Sequence, residues 1–161
     1  MGDPLENISQ LRLTRAVPAD AAAVRQLVRD AYAKWVPVFG REPTPMTADY
    51  DLAVRQHQVD LLHIDDALVA VIEMIIRPDD LFIENIAVAP SHHSRGLGRM
   101  LIAHAEAMAK ELGLLKLSLL TGQVMQSNLR LYQALGFQID RTEPFKGGFT
   151  VYMSKDLVAT A

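Results

Sequence analysis

The sequence predicts an α/β (α+β) fold: one mixed, mostly antiparallel sheet of about seven strands, with helices on both faces. Three observations carry that expectation. Apolar runs of strand length occur in succession through the middle of the chain, with only turn residues between them. The later strand-like runs alternate instead with helical patterns, so one sheet must take both kinds of connection. The chain has 161 residues, half of them hydrophobic and 22% charged, which suits one globular core better than a disordered segment.

The elements follow in order. Residues 11–16, "LRLTRA", read as a first strand. Pro18 suits the first turn of a helix, and Val24, Leu27, Val28 and Ala31 follow the i, i+3, i+4, i+7 spacing of an amphipathic one. Residues 35–46 contain three prolines and a glycine and are expected as a loop, with a short helix over 47–56. Residues 59–64 and 67–76 flank Asp65-Asp66, a pair suited to a hairpin turn. After a turn at Pro78-Asp79-Asp80, residues 81–89 are almost wholly apolar, as in a strand buried on both faces. A long helix follows, with its apolar stripe at Leu97, Leu101, Ala105, Met108 and Leu112 and Gly113 placed to cap it. A strand over 114–120, a short helix over 128–137, and strands over 137–141 and 149–153 joined through Gly147-Gly148 complete the chain. One domain is expected over 11–157, with tails at 1–10 and 158–161.

Composition narrows the function. The net charge is −3, against a general nucleic-acid binder. With no cysteine, disulfides, thiolate metal sites and a cysteine nucleophile are excluded, and a cytoplasmic setting fits. The start "MGDPLENISQ" is acidic and lacks the apolar segment of a secretory leader, and Glu6 makes a poor myristoylation signal. No apolar run is long enough to span a membrane. His92-His93 lacks further ligands at metal-binding spacing, so no metal is expected.

One stretch stands out: residues 88–106, "VAPSHHSRGLGRMLIAHAE". It gathers His92, His93, Arg95 and Arg99 around Gly96 and Gly98, between a buried strand and a helix. The free N–H groups and dipole of a helix start favour an anion. Gly96 and Gly98 let one approach the backbone, and Arg95 and Arg99 add charge. A Walker loop would need a lysine, and a dinucleotide fingerprint a third glycine where Leu101 stands.

This stretch resembles the acetyl-CoA-binding motif, Arg/Gln-x-x-Gly-x-Gly/Ala, of the GNAT superfamily of N-acetyltransferases. "LYQALGF", residues 131–137, resembles the Tyr-x-x-x-Gly-Phe segment of those enzymes, and "GGFTVYMSKDL", residues 147–157, resembles their last strand. Two positions depart from the pattern. His93 stands at the Arg/Gln position. Met125 stands where many members carry asparagine, with Asn128 one helical turn before Tyr132 instead.

The resemblance implies a GNAT-like acyl-CoA N-acyltransferase fold and an enzyme that moves an acetyl group from acetyl-CoA, its co-substrate, to a primary amine of a small molecule or peptide in a ternary complex. It implies main-chain contacts to pantetheine from Ile86, Ala87 and Val88. Pyrophosphate would lie on His93, Ser94, Arg95, Gly96, Leu97, Gly98 and Arg99, with Asn128 nearby. Tyr132 is the implied general acid; otherwise it is a core tyrosine against Leu129 and Leu135. Glu84 interrupts an apolar strand, where burial would raise its pKa toward that of a base, acting directly or through a water. Otherwise it is a solvated residue at a strand splay, and Glu73 is the reserve. A non-catalytic acyl-CoA-binding module of the same fold is the alternative, and a homodimer is left open.

Charge patterning adds an expectation about the acceptor. Nine acids fall between Asp49 and Glu84 against two arginines, Arg55 and Arg77, which would suit a cationic amine if they bordered its cleft.

Overall fold

Seven strands form one sheet in the computed structural model, which describes residues 10–157. The tails expected at 1–10 and 158–161 lie outside the described residues, Gln10 excepted. The elements are β1 (Leu11–Arg15), α1 (Ala21–Tyr32), α2 (Val36–Phe39), α3 (Tyr50–Gln56), β2 (Gln58–Ile64), β3 (Ala67–Ile76) and β4 (Leu81–Val88), then α4 (Leu97–Glu111), β5 (Lys116–Gly122), α5 (Gln126–Ala134), β6 (Gln138–Phe145) and β7 (Gly148–Asp156). The sheet order is β1-β2-β3-β4-β5-β7-β6, and only β4 and β5 run parallel. No described helix is long and apolar enough to cross a membrane.

Each face of the sheet carries its own core. On one, Leu97, Leu101, Ile102, Ala105 and Ala109 of α4 pack on Ile72, Met74, Leu81, Ile83 and Leu117. Each such Leu or Ile contributes about 2 kcal/mol by leaving water. On the other, α1 and α3 pack Val24, Val28, Tyr50 and Val54 against Val59, Leu61, Val71 and Ala87. The hairpin turn puts Asp65 and Asp66 at φ +49° and +68°, the left-handed pair that a two-residue turn requires and that Asp tolerates.

Several expectations need correction. The α4 stripe uses Ile102 and Ala109, while Leu112 is the exposed cap residue. The helix closes at Gly113, φ +74°, with Leu114 N–H donating to Ala109 O and Gly113 N–H to Lys110 O. Leu114 is thus taken up by the helix stop, and β5 starts at Lys116. The loop expected over 35–46 contains α2, because Pro37 sits in a first turn where its missing N–H goes unneeded. Residues 18–20, 33–35 and 44–47 form 3-10 turns. α5 starts at Gln126, its first turn held by Asn128 and Leu129 N–H donating to Met125 O, and it ends at Ala134. β6 and β7 are longer than expected and turn at Lys146-Gly147, one residue earlier than the glycine pair suggests. β6 is an edge strand with all eight residues exposed, so no alternation marks its length.

The pairing of β4 positions the site. Glu73 of β3 faces Asn85 and Met74 faces Ile83, leaving Glu84 as an unpaired extra residue, a β-bulge. β4 meets β5 only at Leu81, Phe82 and Ile83, opposite Leu117, Ser118 and Leu119. Beyond that the strands part. The joined end is clipped by Asp80, which accepts two hydrogen bonds from Arg77 and one from Ser118 Oγ, all at 2.6 Å. The Arg77 hydrogen bonds hold the Asp80 carboxyl below its ordinary range.

Candidate active site

The splay between β4 and β5 opens two cavities, of about 220 Å³ and 440 Å³. Both are lined by Tyr32, Ile86, Met125, Asn128 and Tyr132, so these residues form the wall where they meet. From Glu84 onward, the side of β4 that faces β5 has no strand partner. Such an edge can bond an extended, amide-bearing ligand as a missing strand would.

The larger cavity takes Ile86, Ala87 and Val88 from that edge and His93, Ser94, Gly96, Leu97, Gly98 and Arg99 from the loop and the start of α4. Ser94 and Gly96 both have left-handed backbone, φ +61° and +78°, which turns the chain sharply into the helix. Met100 N–H donates to Gly96 O, and no side chain caps the helix, so the N–H groups of Leu97, Gly98 and Arg99 have no intrahelical partner. A Cβ on Gly98 would meet only Leu131 Cδ2, at an ordinary 3.8 Å. The folded chain therefore does not require glycine there, whereas an anion at those N–H groups would. Arg95, between the two left-handed residues, is exposed and, unlike its neighbours, does not line the cavity.

His93 does more than replace a charged residue. Its Nε2 lies 2.9 Å from Val88 O, and a carbonyl only accepts, so Nε2 donates there. Nδ1 is left as the acceptor for Lys34 Nζ at 3.4 Å. Lys34 also stands 5.3 Å from the Trp35 ring centre, and both residues line the larger cavity. No local pattern marks Lys34 in the sequence, because the 3-10 turn after α1 reaches the loop only through the fold.

Asn128 and Tyr132 lie one turn apart on α5 and line both cavities, as their spacing suggested. Tyr132 packs on Phe137, ring centres 5.8 Å apart, and burial pushes its hydroxyl up to about 12.

Glu84 lines the smaller cavity and is exposed at the bulge, as the alternative of a solvated residue at a strand splay has it rather than a buried carboxylate. Its pKa is nonetheless raised, first by the protein that displaces water on one side and then by the Glu73 carboxylate. The buried polar residue of β4 is Asn85, whose Oδ1 accepts from Tyr32 Oη at 2.7 Å and whose Nδ2 donates to Tyr50 Oη at 3.3 Å. Glu73 is buried, lies 2.6 Å from His57 Nδ1 and lines neither cavity. Of the nine acids between residues 49 and 84, Glu84 alone lines the smaller cavity. Asp49 caps α3, Asp60 pairs with His104, and Asp80 pairs with Arg77. Among the described residues no group of three or more His, Asp or Glu is placed to hold a metal ion.

This geometry can be compared with known proteins. The sequence profile of the acetyltransferase (GNAT) family matches residues 22–137, from α1 through α4 to Phe137. The chain belongs to the GNAT family of acetyltransferases. Among curated proteins none matches it. Solved structures share the GNAT fold at low identity. The PaiA N-acetyltransferase of Thermoplasma acidophilum, in complex with coenzyme A, superposes with a TM-score of 0.78 at 16% identity, covering 91% of this chain and 99% of its own. The ribosomal-protein-S18-alanine N-acetyltransferase of Escherichia coli gives 0.73 at 19%, covering 94% and 97%. The IAA acetyltransferase of Bacillus cereus gives 0.70 at 22%, covering 92% and 100%. The GNAT sheet expected from the sequence, mixed and seven-stranded, is thus the one observed.

Proposed function

We propose that this GNAT protein transfers the acetyl group of acetyl-CoA to a primary amine of a small molecule or peptide, with both substrates bound together. The observation that carries the reading is the pair of cavities meeting at Tyr132. One offers a free strand edge and an uncapped helix start, which suit pantetheine and pyrophosphate. The other opens beside Glu84.

Acetyl-CoA supplies an activated thioester carbonyl. In the transfer the amine nitrogen bonds to that carbon, the carbon–sulfur bond breaks, the nitrogen loses a proton and the sulfur gains one. Glu84, directly or through a water, takes the nitrogen's proton. Tyr132, protonated at neutral pH because its pKa is near 12, donates to the leaving sulfur. Ile86, Ala87 and Val88 orient the pantetheine arm, and the N–H groups of Leu97, Gly98 and Arg99 hold the phosphates, with Arg99 adding charge.

Calorimetry with acetyl-CoA and a CoA-release assay over an amine panel test this. Binding together with acetylation of a panel amine supports it. Binding with no acetyl transfer to any amine leaves the non-catalytic acyl-CoA-binding module instead.

Two further outcomes are expected. A base must be unprotonated to work, and the Glu84 pKa is raised. The kcat/KM profile therefore falls on acidification through a limb above the ordinary carboxylate range, and Glu84→Gln removes that limb. A limb unchanged in Glu84→Gln assigns the base elsewhere. Lys34→Ala weakens acetyl-CoA binding about threefold at low salt, on the order of 0.6 kcal/mol for one exposed charge, and less at high salt. Unchanged affinity at low salt removes Lys34 from the phosphate site.

A further inference from the structure

The smaller cavity is charged in the opposite sense to the acidic stretch that precedes and includes part of its wall. Two cations stand at its mouth. The Arg41 guanidinium lies 5.5 Å from the Phe39 ring centre and 5.7 Å from that of Phe145, and Lys146 Nζ lies 5.3 Å from the Phe145 ring. All four side chains belong to residues that line the cavity. Phe145 is thus flanked by both charges. Arg41 spends one N–H on Glu42 O, at 3.2 Å, and among the described residues neither cation pairs with a carboxylate.

The two cations come from distant parts of the chain, the segment after α2 and the β6–β7 turn. Lys146 is held at φ +46°, a backbone conformation that a lysine adopts only at a cost. Both cations sit beside the same ring with no carboxylate among the described residues pairing them, which leaves a positive field on this part of the wall that favours an anion. A guanidinium offers a carboxylate two parallel hydrogen bonds, and an ammonium adds a third. The rings and prolines between this rim and β4 offer an apolar wall. The volume, about 220 Å³, is roughly seven waters' worth of liquid and suits a body of amino-acid size.

We infer that the acceptor is an amine that also carries a carboxylate on an apolar or aromatic body, of the class of free hydrophobic amino acids. Arg41 and Lys146 take the carboxylate, and the nitrogen turns inward toward Glu84 and Tyr132. This rests on the proposed acetyl transfer and replaces the cationic acceptor that the acid count suggested.

The test compares L-phenylalanine, L-phenylalaninamide, 2-phenylethylamine and spermidine as acceptors in the CoA-release assay, with wild type, Arg41→Ala, Arg41→Lys and Lys146→Ala. L-Phenylalanine is expected to exceed its amide and 2-phenylethylamine at least tenfold in kcat/KM. Arg41→Ala should raise KM for L-phenylalanine at least tenfold and leave that for 2-phenylethylamine within twofold. Lys146→Ala should give a smaller rise, and Arg41→Lys partial recovery. Acetyl-CoA affinity, measured by calorimetry, should not move in any variant. Acetylation of 2-phenylethylamine or spermidine as efficiently as L-phenylalanine keeps the transferase reading and overturns the carboxylate. So does an Arg41→Ala variant that affects acceptors alike. Acetyl-CoA binding with none of the four amines acetylated overturns the carboxylate-bearing acceptor, and the transferase reading is then decided by the wider amine panel.

Discussion

Replacing Tyr132 with phenylalanine lowers kcat about a hundredfold, the low end of what a positioned acid contributes, while acetyl-CoA affinity stays within twofold. The exchange removes one oxygen and keeps the ring, so packing on Phe137 is retained. Among the described residues the hydroxyl has no hydrogen-bond partner in the protein, so its loss strands nothing. An acid with a pKa near 12 is protonated across the working range, so Tyr132 should leave no mark on the neutral part of the pH profile. Single-turnover measurements with saturating acetyl-CoA separate a slower chemical step from slower release. Wild-type turnover in Tyr132→Phe would return this residue to the core role.

Replacing Gly98 with valine weakens acetyl-CoA binding at least tenfold, about 1.4 kcal/mol. The added side chain starts from a position that meets only Leu131 at van der Waals distance, and valine is a better helix former than glycine. The fold should therefore not suffer, and an unchanged circular dichroism spectrum and melting temperature serve as the control. What the side chain does cover is the approach to the free N–H groups of the first turn of α4. A folded Gly98→Val protein with unaltered affinity would show that phosphate does not lie there.

What was legible in the sequence follows from how locally each feature is specified. The hairpin of β2 and β3, the strand β4 and the cradle are written in contiguous residues: an Asp-Asp turn, an apolar run, two glycines before a helical stripe. Turn chemistry, run length and helical periodicity together suffice for these. The exposed edge strand β6 buries no face, so nothing in its pattern marks its length. α2 hides behind Pro37, which reads as a breaker and acts as a starter. The environment of Glu84 was left open between burial and solvent because a bulge is a property of two strands, and only β3 shows that β4 contains one residue too many. Lys34, Arg41 and Lys146 were invisible as site residues for a related reason. Each is an unremarkable surface cation in its own segment and joins a cavity wall only where folding brings segments together. The nine acids show the converse: a charge cluster in the sequence that the fold disperses among a helix cap, turns and pairs.

The extra residue in β4 shifts which sequence positions face which side of the sheet. Side chains on a strand alternate between faces, so one surplus residue swaps the assignment of everything after it. Before the bulge, Leu81 and Ile83 point into the α4 core; after it, Ile86 and Val88 do, an odd number of positions later. Asn85 and Ala87 are thereby aimed at the α1 side, where Asn85 meets Tyr32 and Tyr50. Deleting the codon for Glu84 would restore regular pairing with Asn85 directly after Ile83, so Asn85 would still face the tyrosines and Ile86 and Val88 the α4 core. Exchanging Glu84 for another amino acid would leave all of these where they are. Within this strand, a gene could drop the letter at Glu84 without turning its neighbours over.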